Sequence, residues 1–204
     1  MNREVHVRFC ERRRVQLPPA THLVILVHAD RRQDWMLKAV HRRTREELAK
    51  LGIPVNEEKS RVVDLERGEI FTFLGFEFRQ VRSFHGALRP QYTPMRHKRT
   101  ELLQKLREVF RRGRSHPAQE VIREINLILA GWLNYFRIGH AHQHFRYIRD
   151  WVEKKVRRHL ARAARRSGLG WKRWSKDWLY QVLGLYDDYR IRHVGTVPKV
   201  LPAR

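Results

Sequence analysis

The chain has 204 residues, with 44 Lys and Arg against 21 Asp and Glu, so its formal net charge is +23. Such an excess favours a polyanionic partner, most often the phosphates of a nucleic acid. No run of 18 apolar residues occurs, which argues against a membrane span and a membrane partner. Cys10 is the only cysteine, which excludes an internal disulfide and a thiolate zinc site. We therefore expect a cytoplasmic protein that binds a nucleic acid.

The first half of the chain predicts strands and one helix. Residues 1–22 are a basic lead with weak patterning, and residues 23–27 are a β-branched run typical of a buried strand. A helix is predicted over 34–51. Two β-rich runs, 60–65 and 70–78, are joined by a short turn and predict a hairpin.

Glycines refine these boundaries. Gly52 is expected to end the helix at 34–51. At Gly75 the aromatic alternation changes phase, which suggests a bulge or a close backbone approach. Residues 83–94, with Gly86, Pro90 and Pro94, are predicted to be a loop.

The second half of the chain predicts a helical bundle that begins near residue 97. Apolar residues recur at spacings of three and four along 102–110, 121–136 and 145–156. The faces opposite these stripes are basic over 96–114 and 146–166. We expect the two basic faces to form one continuous positive groove with Tyr135, Phe136 and Arg137 near its floor. A short helix at 175–184 and a tail from residue 194 complete the prediction.

Two clusters allow a metal-binding interpretation and a plainer one. His140, His142 and His144 could ligate a metal, but they follow a helix end without a nearby carboxylate, which favours loop histidines or phosphate contacts. Asp187 and Asp188 resemble a metal-binding pair, but the flanking tyrosines favour a structural turn. We therefore predict no metal at either cluster.

The tryptophans near the C-terminus divide between core and surface. Trp174 and Trp178 are four residues apart, which fits packing on one helix face. Trp171 lies beside Lys172 and Arg173, so a base-stacking role and a core role both stay open.

Three motifs resemble one family. The turn Val55-Asn56-Glu57-Glu58-Lys59-Ser60 and the stretch Phe73-Leu74-Gly75-Phe76 resemble the end of the reverse-transcriptase palm of group II intron-encoded proteins. INLILAGWLNYFRIGH, followed by a basic helix, is similar to the maturase-specific, or thumb, domain of the same proteins. The resemblance covers roughly residues 20–193 and implies an α+β fold, a small antiparallel palm-like sheet with one helix followed by a mainly helical thumb.

The resemblance also implies a division of the chain. Residues 1–22 would be a divergent lead, and 23–82 a partial palm. A linker at 83–95 would lead to the maturase-specific domain at 96–193, followed by a tail at 194–204.

One departure from the family concerns catalysis. In the family, Tyr-Ala-Asp-Asp precedes the strand that resembles residues 23–27, and its carboxylates hold two Mg²⁺ ions. Here Pro19-Ala20-Thr21-His22 occupies those positions. Thr and His cannot replace two aspartates in two-metal phosphoryl transfer. We therefore expect no polymerase activity from this chain alone and assign no catalytic residue.

Two main functions remain open, and a general basic nucleic-acid binder with no intron preference is a third alternative. The first is an RNA-binding, maturase-like module that binds group II intron RNA, assists its splicing, and needs Mg²⁺ only as a counterion of the RNA. The second is a fragment or subunit of a group II intron reverse transcriptase, complemented by a catalytic palm on another chain. For either function, the residues expected to bind RNA are Lys59, Arg61, Arg96, Lys98, Arg99, Lys105, Arg107, Arg111, Arg112, Tyr135, Arg137, Arg146, Lys154, Lys155, Arg157, Arg158, Trp171, Lys172 and Arg173.

Overall fold

The computed structural model describes residues 23–27 and 34–192 and shows an α+β protein. The chain divides into two compact units between Tyr92 and Thr93. The lead at 1–22, which includes the Pro19–His22 positions, lies outside the described residues, as does the tail at 194–204. None of the described helices combines the length and the apolar character needed to cross a membrane.

The first unit contains the predicted helix, α1, Asp34–Lys50. Its apolar side chains, among them Leu37 and Val40, pack around the buried Val27. Gly52 adopts the left-handed φ of +68° that a helix C-terminus favours, and the helix ends there as predicted. The predicted strand at 23–27 is wrong in extent, since only Ile25 makes a β-bridge.

A three-stranded sheet follows in the order β1-β2-β3, with β1 at Phe71–Phe73, β2 at Phe76–Arg82 and β3 at Leu88–Pro94. β1 and β2 are antiparallel, with Phe73 opposite Phe76. The two-residue turn between them has φ values of 48° at Leu74 and 79° at Gly75. Two positive φ values in succession are typical of the hairpin turn whose twist matches that of its strands.

The hairpin predicted between 60–65 and 70–78 is therefore wrong. The hairpin turn lies inside the second run, at Leu74-Gly75, and residues 60–65 form no strand. The Asp64 carboxylate accepts hydrogen bonds from the backbone N–H groups of Glu66 and Arg67, which starts a 3₁₀ turn instead. Short polar side chains compete in this way with strand pairing.

The loop predicted over 83–94 is also wrong in its second half, because β3 occupies Leu88–Pro94. β3 pairs only with β2 and is an edge strand, the position in a sheet that tolerates proline. The loop was predicted from Pro90 and Pro94, but both prolines lie in this edge strand.

The second unit is built on three helices, as predicted. They are α2 at Arg96–Arg112, α3 at Ala118–Phe136 and α4 at His142–Ala163, and the described residues between 120 and 160 contain no strand. The apolar stripes of the three helices face one another and exclude water, which is the main source of their stability. The most deeply buried core side chains are Leu106, Ile125, Leu129, Leu133, Phe145, Ile148, Val152 and Val156.

A C-terminal strap, residues 183–192, follows the short helical turn at Trp178–Val182. That turn falls within the helix predicted over 175–184 but is shorter. The Asn126 side chain fixes the strap to α3, since its Nδ2 donates to the Gly184 carbonyl at 2.7 Å and its Oδ1 accepts from the Tyr186 N–H at 2.8 Å. Leu183 and Leu185, which belong to the strap, are buried.

Candidate nucleic-acid interface

A basic cleft lies between α2 and α4 in the second unit. Contacts between the two helices pair Arg99 with Tyr147 and Arg107 with Trp151, so the helices run in the same direction. The cleft has a volume of about 270 Å³. We call it the α2–α4 cleft, and its lining is Arg107, Phe110, Arg111, Arg114, Lys155, Arg158, His159 and Arg162.

Helical spacing explains why these cations converge. Arg107 and Arg111 are four residues apart and share one face of α2, and Lys155, Arg158 and Arg162, at spacings of three and four, share one face of α4. Arg114 lies in the 3₁₀ turn Gly113–Ser115 that follows α2 and lines the same cleft. Of the described residues, no acidic one lines the cleft, although Glu108 contacts Arg111 at 3.3 Å from outside. Six cations therefore face a common space.

The electrostatics of the cleft favour an anion. The pKa of Lys155 is lowered, first by burial and then by the positive charges of Arg158, Arg107 and Arg162. Like charges held this close repel one another, and a bound polyanion would relieve that repulsion. The cleft is thus organised for a ligand that carries several negative charges.

Aromatic rings support the cations. The Trp151 ring centroid lies 5.6 Å from the Arg107 guanidinium carbon and 5.3 Å from Lys155 Nζ. Phe110 lies against Trp151 and His159, with centroid distances of 6.5 and 5.9 Å. These cation–π and ring contacts orient the charged groups, so less side-chain entropy is lost when a ligand binds.

The same seam continues toward the N-termini of α2 and α4. The Arg99 guanidinium carbon lies 4.3 Å from the centre of the Tyr147 ring. Burial, together with Arg99 and Arg96, lowers the pKa of His144 to about 4. His144 is therefore neutral at pH 7, and arginine carries the charge at this end.

The structure places only some of the predicted RNA-binding residues in the α2–α4 cleft. Arg107, Arg111, Lys155 and Arg158 line the α2–α4 cleft together. Arg114, Arg162 and His159 were missed as site residues, although the helical spacing of 107-111-114 and 155-158-162 carried the signal for the two arginines.

The remaining surface cations lie outside that cleft. Lys98 pairs with Glu101 at 3.0 Å, Arg112 pairs with Glu124, and Arg61 donates to the Ile70 carbonyl in the first unit. Lys59 belongs to the 3₁₀ turn at Glu57–Lys59 of the first unit. Arg96, Lys105, Lys154, Lys172 and Arg173 are exposed, and Arg146 lines a second cleft described below.

The prediction that Arg157 lies on the exposed basic face is wrong. Its side chain is only 2% exposed. Its Nε donates to the Trp174 carbonyl at 2.9 Å, and its Nη1 donates to the Glu153 carboxylate at 3.3 Å. The segment after α4 folds back over Arg157, and Trp171, itself 51% exposed, places its ring centre 4.2 Å from the guanidinium carbon.

The predicted groove floor is wrong as well. Arg137 is 6% exposed and bonds to Asp188 Oδ2 at 2.9 Å, while Phe136 is buried in the core. Tyr135 is exposed, but it lies on α3 and does not line the α2–α4 cleft. Phe110 and the buried His159 are the ring side chains that line the cleft instead.

Of the two alternative metal clusters, the Asp187-Asp188 pair has another contact, through Asp188. The hydrogen bond and charge of Arg137 hold the pKa of Asp188 below its usual range, so this carboxylate is an ion-pair partner that anchors the strap. In the part of the chain that the structure describes, no group of three His, Cys, Asp or Glu residues is placed to hold a metal ion.

Trp174 is buried and Trp178 is half-buried, in agreement with their predicted packing role.

Comparison with known families identifies this helical region. Residues 99–179 match the family model described as the group II intron, maturase-specific domain. No curated protein matches the chain. The matched range contains every residue of the α2–α4 cleft, whereas the palm assignment of residues 23–82 stays a prediction. The resemblance seen in the second half of the sequence is confirmed, since residues 99–179 match the model of the group II intron maturase-specific domain.

Proposed function

We propose that this chain binds structured RNA, and group II intron RNA in particular, through the α2–α4 cleft and thereby assists splicing of the intron. The observation that carries the proposal is the convergence of six cations, from α2, the 3₁₀ turn after it and α4, on a cleft with no acidic lining among the described residues. The family of residues 99–179 supplies the choice of intron RNA.

The cleft suits phosphate groups in number and in chemistry. Five of its six cations are arginines, whose planar guanidinium groups bond phosphate oxygens in pairs. The first and last cations of each row are seven positions apart, which corresponds to roughly 10 Å at the rise of an α-helix. Two such rows facing one another can contact several phosphates of one backbone.

Its shape argues against a membrane surface as the anion. Peripheral membrane helices lay an exposed apolar face into the lipid, with cations along its margin. Here the rings of Phe110 and His159 lie in a concave cleft between two helices. A flat lipid surface cannot reach them, whereas a nucleic-acid backbone can enter.

The proposed contribution to splicing is electrostatic. Intron segments must pack phosphate against phosphate to fold, and cations fixed on a rigid protein neutralise that charge without having to be ordered at the moment of binding. Mg²⁺ enters this proposal only as a counterion of the RNA.

The test uses one group II intron RNA and a length-matched RNA of shuffled sequence. We expect tighter binding of the intron RNA at 150 mM salt, and faster splicing when the chain is added at limiting Mg²⁺. The cleft variant in which Arg111, Arg114, Arg158 and Arg162 become Gln should lose both effects. Equal binding of the two RNAs, with no gain in splicing, would reduce the function to general nucleic-acid binding.

A further inference from the structure

A second cleft lies on the other flank of α4, where the C-terminal strap passes the start of the helix. Its volume is about 740 Å³. Arg146 and Arg149 from α4 and Arg190 from the strap supply its charge, and Phe145, Tyr189 and Ile191 supply apolar surface. We call it the strap cleft. As in the first cleft, the described lining includes no carboxylate.

The strap is held in place by contacts that do not use these cleft residues' side chains. Arg137 bonds to Asp188, and the Arg192 N–H donates to the Arg137 carbonyl at 2.8 Å. The anchors at Asn126 and Arg137 thus fix the strap on both sides of Tyr189 and Arg190. The cleft is a consequence of this fixed position and does not need a ligand to form.

Two polar atoms in the cleft wall lack hydrogen-bond partners among the described residues. The Tyr189 hydroxyl is buried without a partner, and burial raises its pKa, so it stays protonated and able to donate. Arg149 Nε is likewise buried without a hydrogen bond, with Asp150 Oδ1 4.0 Å away. Buried polar groups usually have partners, so both point to a ligand with polar atoms.

We propose that the strap cleft takes one unpaired nucleotide of the bound RNA. Arg146 and Arg190 bind its phosphate, the base lies against the apolar wall, and the Tyr189 hydroxyl bonds to the edge of the base. A site with cations on one side and aromatic surface on the other matches the two halves of a nucleotide. This inference rests on the proposed RNA-binding function and extends it to a second contact.

The two clefts can act on one RNA. α2 borders one flank of α4 and the strap borders the other, so the clefts are separated by the exposed face of a single helix. From Arg146 to Arg158 the distance along α4 is roughly 18 Å. An RNA that crosses this face can place its backbone in the α2–α4 cleft and an unpaired nucleotide in the strap cleft.

The test compares an RNA hairpin with an unpaired loop and a fully paired RNA duplex of equal length, both labelled with a fluorophore. Tyr189→Phe removes only a hydroxyl that has no partner among the described residues, so the thermal melt should be unchanged. Binding of the hairpin should weaken by about 3- to 10-fold, as for the loss of one hydrogen bond, and binding of the duplex should not change. Arg190→Gln should lower the salt slope for the hairpin by about 0.7, one single-strand phosphate contact.

Arg123→Gln is the matched control, because Arg123 is exposed, lines neither cleft and is not among the residues expected to bind RNA. Arg158→Gln, tested in parallel, should weaken both RNAs. If Arg158→Gln has no effect, the proposed α2–α4 interface is wrong. If Arg158→Gln weakens binding but Tyr189→Phe and Arg190→Gln behave like the control, or weaken duplex and hairpin equally, the nucleotide site is overturned.

Discussion

Salt dependence gives the most direct measure of the α2–α4 cleft. The cleft variant changes four exposed cations, Arg111, Arg114, Arg158 and Arg162, to Gln. Glutamine has nearly the helix propensity of arginine, so the fold should be retained, and the loss of mutual repulsion should not lower stability. Any change in RNA affinity can then be assigned to lost contacts.

The magnitude follows from counterion release. Each phosphate contact contributes about 0.7 to 0.9 to the slope of log K against log salt, so four lost contacts lower the slope by about 3 units. Between 50 and 200 mM salt, this difference corresponds to roughly a 60-fold change in the ratio of the affinities of wild type and variant. Fluorescence anisotropy with a labelled intron RNA resolves a change of this size.

The matched control changes Lys38, Arg82, Arg89 and Arg123 to Gln. These four cations are also exposed, and none of them lines either cleft, so the net charge falls by the same amount. We expect its slope to fall by less than one contact, about 0.7. If the control and the cleft variant lose slope equally, the binding depends on total charge and the argument for a defined cleft fails.

Four further changes test other parts of the structure. Trp132→Ala should lower the free energy of unfolding, measured in a denaturant melt, by about 3 kcal/mol, because the Trp132 ring packs against Phe136 and its Nε1 donates to a backbone carbonyl. An unchanged melt would place the ring outside the core. Arg157→Met should lower the free energy of unfolding by about 3 kcal/mol, because it breaks a buried ion pair, and should leave the salt dependence of RNA binding unchanged. A weaker salt dependence with an unchanged melt would mean that Arg157 contacts RNA. The pKa of His144 is lowered to about 4, so the unfolded chain binds more protons than the folded chain between pH 6.5 and 4. The free energy of unfolding should therefore fall as the pH is lowered through this window. His144→Gln should reduce that fall, and an identical pH profile for the variant would refute the pKa shift. With Mg²⁺, primer-template and dNTPs, the purified chain should extend no primer, because no carboxylate pair precedes Leu23; incorporation above a no-protein control would contradict this.

Predictions that depended on local geometry were the most accurate. The helix ending at Gly52 and the helical bundle beginning at Arg96 follow from the spacing of apolar residues, because 3.6 residues per turn fixes which side chains share a face. The hairpin failed for a local reason as well. Phe73-Leu74-Gly75-Phe76 contains both strand residues and the turn that reverses them, and the aromatic run concealed the turn.

Predictions about exposure failed where a distant segment covers the residue. Arg157 is on the basic side of α4 by spacing, but the carbonyl that accepts its hydrogen bond belongs to Trp174, 17 residues later. Arg137 is paired with Asp188, 51 residues away. A helical wheel describes one helix and contains no information about what later packs on it.

The sequence by itself determined the charge, the helices and the resemblance of residues 99–179 to the maturase-specific domain, since composition, periodicity and motif are properties of the chain alone. Only the tertiary structure decided which cations work together. Arg107 and Lys155 lie 48 positions apart in the sequence and come to one cleft because the apolar faces of α2 and α4 bury each other. Arg157 is buried for a similar reason. The segment after α4 supplies the Trp174 carbonyl, which accepts its hydrogen bond, and the Trp171 ring, which stacks on its guanidinium group, and these contacts replace those with water.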